Sequence, residues 1–256
     1  MFLAELLAVG FKTEANGMAI RPVSIGRWER RVGVAFCLFI AVNLLPLHFL
    51  VTIRASDDLP KIVLLGDSIR HGYAPIVQKE LIGKAIVISP KANGGDSSNN
   101  LKHLDEWVIR EQPAIVHFNS GIHDTKKSKT SGMFQVPPGQ YEANLRRIVE
   151  RIRKDTKATV LFGTTTPILD ERAVKSRTKA NYELLEASVE KYNGIATKVM
   201  QELKVPVDDL HGLFADRDRR DKLISADGVH FTIEGREVLG KAVAGFIKKH
   251  LPAEKK

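Results

Sequence analysis

The chain has a single cysteine, Cys37. It lies within an apolar run, so the folded part contains no disulfide and no cysteine-based metal site. No internal repeat and no low-complexity tract is visible, which leaves an ordinary globular reading. The glycine-rich stretch 94–100 is not followed by Gly-Lys-Ser/Thr, so a nucleotide-phosphate cradle is disfavoured. A cluster of basic and aromatic side chains is also missing. The 39 Lys and Arg against 30 Asp and Glu give +9 and invite a nucleic-acid reading. Six of those cations and three of those anions sit in residues 1–55, which leaves 33 against 27, or +6, for the rest. No nucleic-acid partner is expected. Hydrophobic residues at 43% and charged residues at 27% are ordinary globular proportions and exclude wholesale disorder and a polytopic membrane protein. Setting the N-terminal stretch aside, about 200 residues remain, enough for one domain with a sizeable core.

Residues 32–53 carry no formal charge and follow Arg27, Arg30 and Arg31. That length suits a single membrane span of about 20 residues, longer than the apolar centre of about 7 to 15 in a cleaved signal peptide. Asn43, Pro46 and His48 weaken a span, and Ala55 offers a mediocre cleavage site, so anchor and signal peptide both stand. The upstream cations predict that the N-terminal end stays in the cytoplasm and the rest is translocated. The alternative, a buried core helix, lacks an amphipathic surrounding. The expected organisation is therefore a basic N-terminal segment over residues 1–31, a signal peptide or single membrane anchor over 32–55, and a domain over 57–256. Met18 offers a second start, in which case residues 1–17 are not translated. The expected location is export: periplasm or cell envelope, secreted or anchored.

After residue 58, short apolar runs alternate with helical periods. Residues 61–65, 85–89, 114–118, 158–163 and 205–207 read as strands, the first four as continuous apolar runs suited to a sheet covered on both faces. Helical faces appear at Leu101, Leu104 and Val108, at Leu145, Ile148, Val149 and Ile152, from about residue 178 to 203, and over 233–250. Five strand–helix alternations mean an α/β protein, a three-layer α/β/α sandwich around a five-stranded parallel sheet. The longest irregular segment, 125–140, follows the third strand. In such a fold ligands bind at the carboxyl ends of the strands.

The first strand ends in Gly66-Asp67-Ser68, which presents a serine just past a sharp turn; a helix N-cap is the plain alternative. Residues 93–98 read Asn-Gly-Gly-Asp-Ser-Ser, where backbone N–H groups can face a ligand oxygen; a tight turn is the plain alternative. The third strand is followed by Asn119-Ser120-Gly121-Ile122-His123-Asp124, and Asp227-Gly228-Val229-His230 precedes the last helix. Together these supply a nucleophile, a base, an orienting carboxylate and glycine loops able to hold an oxyanion. Asp67 reads as a structural ligand of its turn. Arg70, His71 and Tyr73 read as a solvated helix start, or else as partners of a polar substrate group. His117, His123 and Asp124 could be taken for metal ligands, but His117 lies inside an apolar strand, and no metal is expected.

Over residues 61–251 these motifs resemble the SGNH, or GDSL-type, esterase and lipase family. The resemblance implies a flavodoxin-like fold and cofactor-free hydrolysis of acyl esters, with a small-molecule or polysaccharide-linked ester as substrate. It implies Ser68 as nucleophile, Asp227 and His230 as its partners, and an oxyanion hole built from the N–H groups of Ser68 and Gly95 with a side chain at position 123. The family usually carries Gly-x-Asn-Asp where this chain has Gly121-Ile122-His123-Asp124, so the third donor is an imidazole in place of an amide. The Gly-x-Ser-x-Gly elbow of α/β-hydrolases is absent around Ser68. A short-chain or carbohydrate acetyl ester is favoured over a long-chain lipid, because the loop after the third strand is polar. The competing reading is an SGNH-like envelope protein that has lost activity and binds glycans or partners; the intact Ser68, Asp227 and His230 argue against it.

Overall fold

The computed structural model describes residues 59–253. The apolar runs form the strands β1 (Lys61–Leu65), β2 (Ile86–Ile88), β3 (Ile115–Asn119), β5 (Thr159–Gly163) and β7 (Val207–Asp208). They make one five-stranded sheet in the order β2-β1-β3-β5-β7, every pairing parallel. Side chains alternate across a strand, and β1 uses both faces. Ile62 and Leu64 pack with α1 (Ser68–Glu80) and α8 (Ile233–Lys248), whereas Val63 and Leu65 pack with α4 (Pro138–Asp155) and α6 (Glu186–Glu202). All four are fully buried, each contributing about 1.5–3 kcal/mol of apolar transfer, which is why none of these four positions is polar, whereas Lys61 at the strand's start is exposed. Between β1 and β3 the direction of winding reverses, and the carboxyl ends of those two strands diverge into the crevice where ligands of open α/β sheets sit.

The helices depart from the sequence expectation at four places. The single helix expected through Leu101, Leu104 and Val108 is broken into α2 (Ser97–Lys102), α3 (Leu104–Trp107) and a 3₁₀ turn at Ile109–Glu111, with His103 as the joint. Ser97, Ser98, Asn99 and Asn100 favour caps over helix interiors, which keeps α2 short. The long helix expected from about residue 178 starts only at Glu186. Tyr182–Glu183 instead forms β6, antiparallel to β4 (Lys127–Ser128) within the segment expected to be irregular. Two further helices, α5 (Asp170–Ser176) and α7 (Arg217–Leu223), follow β5 and β7. The last strand is Val207–Asp208, displaced from the expected 205–207. α4 follows its apolar spacing closely: Pro138 occupies the first turn, and Tyr141, Leu145, Ile148, Val149 and Ile152 are its buried face.

Among the described residues no helix is long and apolar enough to cross a membrane. The uncharged run 32–53 lies outside them.

Candidate active site

Ser68 is the first residue of α1, and the helix cap is Asp67, whose Oδ1 accepts the N–H of Ile69 at 2.9 Å. The serine is therefore not the cap, and its own N–H is one of the unpaired donors at a helix N-terminus, where a negative oxygen is welcome. Gly66 leaves room for the turn: a Cβ there would lie 2.2 Å from Asn119 Oδ1. Asp67 is buried, and burial foremost pushes its carboxyl up to about 6 against the opposing N–H of Ile69 and the charge of Arg70.

Arg70 and Tyr73 do not belong to a solvated helix start; both are fully buried. The Arg70 guanidinium donates to Gly66 O, to Ser89 Oγ and Pro90 O at 2.7 Å each, and to Ala92 O at 2.8 Å. Tyr73 donates to Asn119 Oδ1 at 3.1 Å. These contacts tie the end of β1 to the segment that follows β2 and to the end of β3, a role that turn and periodicity signals do not carry because most of the acceptors are distant in sequence. His71 is partly exposed and reaches Ala92 O at 3.2 Å.

The loop before α8 brings Asp227 and His230 to Ser68. His230 Nε2 lies 2.9 Å from Ser68 Oγ, and His230 Nδ1 lies 2.5 Å from Asp227 Oδ2. The other carboxylate oxygen of Asp227 accepts from Ser225 Oγ at 2.7 Å and from the N–H groups of His230 and Val229 at 2.9 and 3.0 Å. Burial raises the pKa of this carboxyl, but the hydrogen bond from His230 and those from Val229, Ser225 and the His230 N–H outweigh it and hold the group well below the usual carboxylate range. Asp227 is thus an anion poised to fix Nδ1–H and leave Nε2 to accept. The turn itself rests on α5: Leu169 N–H donates to Gly228 O at 2.9 Å, and Ser176 and Arg177 donate to Asp227 O at 3.0 and 2.8 Å. Gly228 has φ +76° and a Cβ there would stand 2.4 Å from Ala173 N, so this position excludes any side chain.

The loop after β3 is pinned from below by Asp124. Its buried carboxylate accepts from Ser97 N at 3.0 Å, from Ser97 Oγ, and from Ser120 Oγ at 3.3 Å, which joins the loop to the start of α2; burial foremost raises it to about 7. His123 is half-buried above it, and burial foremost, then the charge of Lys126, depresses the imidazole to about 4, with His230 acting in the same sense and Asp96 against. Its Nδ1 lies 2.9 Å from Lys126 Nζ. The Gly95 N–H donates to Asn93 Oδ1 at 2.9 Å in a surface turn before α2. Asn119 Oδ1 is held by the Tyr73 hydroxyl, which fixes this side chain at the end of β3. His117 pairs with Asp208 Oδ2 at 3.1 Å, Asp124 with Ser97 and His123 with Lys126, so the three are committed to different partners.

The GDSL-like lipase/acylhydrolase family model matches residues 64–238. A GDSL esterase/lipase of Oryza sativa subsp. japonica is 23% identical over 203 residues, covering 74% of this chain and 78% of the rice protein. Among solved structures, a lipase/acylhydrolase from Enterococcus faecalis superposes with a TM-score of 0.63 at 24% identity, covering 77% of this chain and all of the other. An acetylxylan esterase from Geobacillus stearothermophilus superposes at 0.60 with 19% identity, covering 73% and 94%. The structural likenesses speak for the shared fold. The family match runs from the end of β1 into α8 and so takes in both loops that meet at Ser68 and His230; the chain belongs to the GDSL-like lipase/acylhydrolase family and is a carboxylic ester hydrolase.

Proposed function

We propose that the ester is cleaved by Ser68, with His230 as general base and Asp227 as its orienting anion, through an acyl-enzyme. The observation that carries this reading is the continuous line from Ser68 Oγ to His230 Nε2 at 2.9 Å and from His230 Nδ1 to Asp227 Oδ2 at 2.5 Å. A serine hydroxyl is a weak nucleophile until a base takes its proton, and His230 is in hydrogen-bond reach to do so. As Oγ bonds to the carbonyl carbon, the proton passes to Nε2 and the carbonyl oxygen becomes an anion. The imidazolium then protonates the leaving alkoxide, and water repeats the sequence on the acyl-enzyme.

The developing oxyanion is held by the Ser68 N–H at the start of α1, by the Gly95 N–H and by the His123 imidazole. Gly95 joins by exchanging Asn93 Oδ1, a surface acceptor, for the substrate oxygen. His123 serves as a neutral donor, its low pKa keeping it uncharged at neutral pH.

The substrate we infer is a short acyl ester, an acetyl group on a carbohydrate above all. Support comes from the acetylxylan esterase among the structural relatives and from the modest size of the hollow beside Lys126, about 430 Å³, where Ser128, Gln135 and Asn181 stand among Met133, Phe134 and Tyr182. Export or anchoring through residues 32–53 is part of the same proposal and rests on the sequence.

A serine-reactive phosphonate probe tests the mechanism. It is expected to label Ser68 in the parent protein and not in His230→Ala; a folded parent that stays unlabelled would point to a non-catalytic binding protein instead.

A further inference from the structure

Lys126 stands three residues past His123, at the edge of the ribbon formed by β4 and β6. Its ammonium is fixed from two sides. Nζ lies 2.9 Å from His123 Nδ1 and 5.0 Å from the centre of the Tyr182 ring. The backbone of Tyr182 is placed by strand pairing with Ser128, and the Lys126 carbonyl accepts the Gln135 N–H at 2.7 Å. A cation on an aromatic face at this range is attracted to it, so the side chain has one favoured place.

An ammonium has three donors and no acceptor. At 2.9 Å it can only donate to Nδ1, and Nδ1 must then carry the lone pair. The single proton of a neutral imidazole is left on Nε2. A side-chain amide brings its donor whatever its neighbours do. An imidazole in the same place has two tautomers, and the wrong one aims a lone pair at a developing negative oxygen. Replacing the family's amide by an imidazole therefore creates a requirement that the rest of the loop must meet.

We propose that Lys126 is a positioning residue of the oxyanion hole: by donating to His123 Nδ1 it keeps the ring proton on Nε2, the nitrogen then left to donate to the substrate oxygen. The proposal rests on the reading that His123 belongs to the hole. The groups that bear on this imidazole are Lys126 on its own loop, Asp96 from the segment before α2 and His230 from the loop before α8. Asp96 is itself engaged, its Oδ2 accepting from Gln135 Nε2 at 2.6 Å. Lys126 is thus the neighbour in hydrogen-bond contact with the ring.

The test is a double-mutant cycle on the full chain with a nitrophenyl acetate substrate. Lys126→Met should lower kcat about tenfold with KM within about twofold, the mark of an interaction made in the transition state. Lys126→Arg should recover most of that loss, because a guanidinium also only donates. In the His123→Asn background the further effect of Lys126→Met should shrink to under about twofold, since the amide needs no tautomer fixed. An equal loss in both backgrounds assigns Lys126 a merely structural part and overturns the proposal. So does a parent-like Lys126→Met beside a His123→Ala variant that has lost 10²-fold or more, about what one oxyanion donor is worth. If His123→Ala stays within about threefold of the parent, the hole itself has been misassigned, a separate failure. Nitrogen-15 spectra of histidine-labelled parent protein give a second readout: His123 should be protonated at Nε2, and protonation at Nδ1 would sink the idea without any variant.

Discussion

The carbonyl of Gly66 is shared by Arg70 and Gly94: the buried guanidinium reaches it at 3.0 Å and the Gly94 N–H at 2.9 Å. One backbone oxygen at the end of β1 therefore fixes both the turn that presents Ser68 and the loop that carries Gly95. Arg70 surrounds this oxygen with bonds to Ser89, Pro90 and Ala92, and its burial lowers the pKa of its guanidinium, a cost met only while every partner is in place.

Arg70→Lys is accordingly expected to lose about 2–4 kcal/mol of stability, because a compact ammonium cannot span this forked set of acceptors and leaves carbonyls unpaired. Urea unfolding checks it. A loss under about 0.5 kcal/mol would mean that the acceptors are satisfied in another way.

Ser68→Ala should abolish ester hydrolysis by at least about 10³-fold while far-UV circular dichroism stays that of the parent, since what remains of a triad enzyme without its nucleophile comes from binding and the oxyanion hole. A variant that keeps a tenth of the activity is incompatible with a serine mechanism.

Asp67 has a measurable pH signature. Its carboxyl is raised from 3.8 to about 6, so the folded state favours the protonated form. The stability this gives is fully present below pH 4 and is lost as pH rises to 6, by up to about 3 kcal/mol. Asp67→Asn keeps an oxygen for the Ile69 N–H and removes the titration. The stability difference between variant and parent should thus move in the variant's favour between pH 4 and pH 6 and then level off. A difference that is flat across that window would remove Asp67 as the source.

The full chain is expected to be exported or to fractionate with membranes, on the strength of the uncharged residues 32–53 behind Arg27, Arg30 and Arg31. Recovery of the full chain from the cytosol would refute this.

The sheet and the three residues that meet at its edge were legible because their signals are local. β1 is a continuous apolar run, Ser68 follows a glycine that only a sharp turn needs, and Asp227 with His230 fits within four residues. Arg70 was misread for the opposite reason. A charged residue in the first turn of a helix ordinarily faces water, and here, besides the nearby Gly66 carbonyl, its partners are the Ser89 hydroxyl and the Pro90 and Ala92 carbonyls, 19 to 22 residues away. The start of α6 was misplaced on similar grounds. Its first N–H, at Glu186, is met by the Asp170 carboxylate at 2.7 Å, a cap supplied from another helix, so no local stop marks the boundary. The Lys126 contact joins residues three apart in an irregular loop, where periodicity says nothing about which side chains meet.

The Asp227 turn rests on a helix of seven residues, α5, through Leu169, Ser176 and Arg177. The spacing between Ser68 and His230 is thus inherited from a peripheral element outside the proposed catalytic group. Grafting a different β5–α6 connection onto this scaffold to change its substrate would also reset that spacing. Under the proposed mechanism the same segment bears on both substrate preference and catalytic competence, and a library that varies residues 164–185 should be screened for the second before the first.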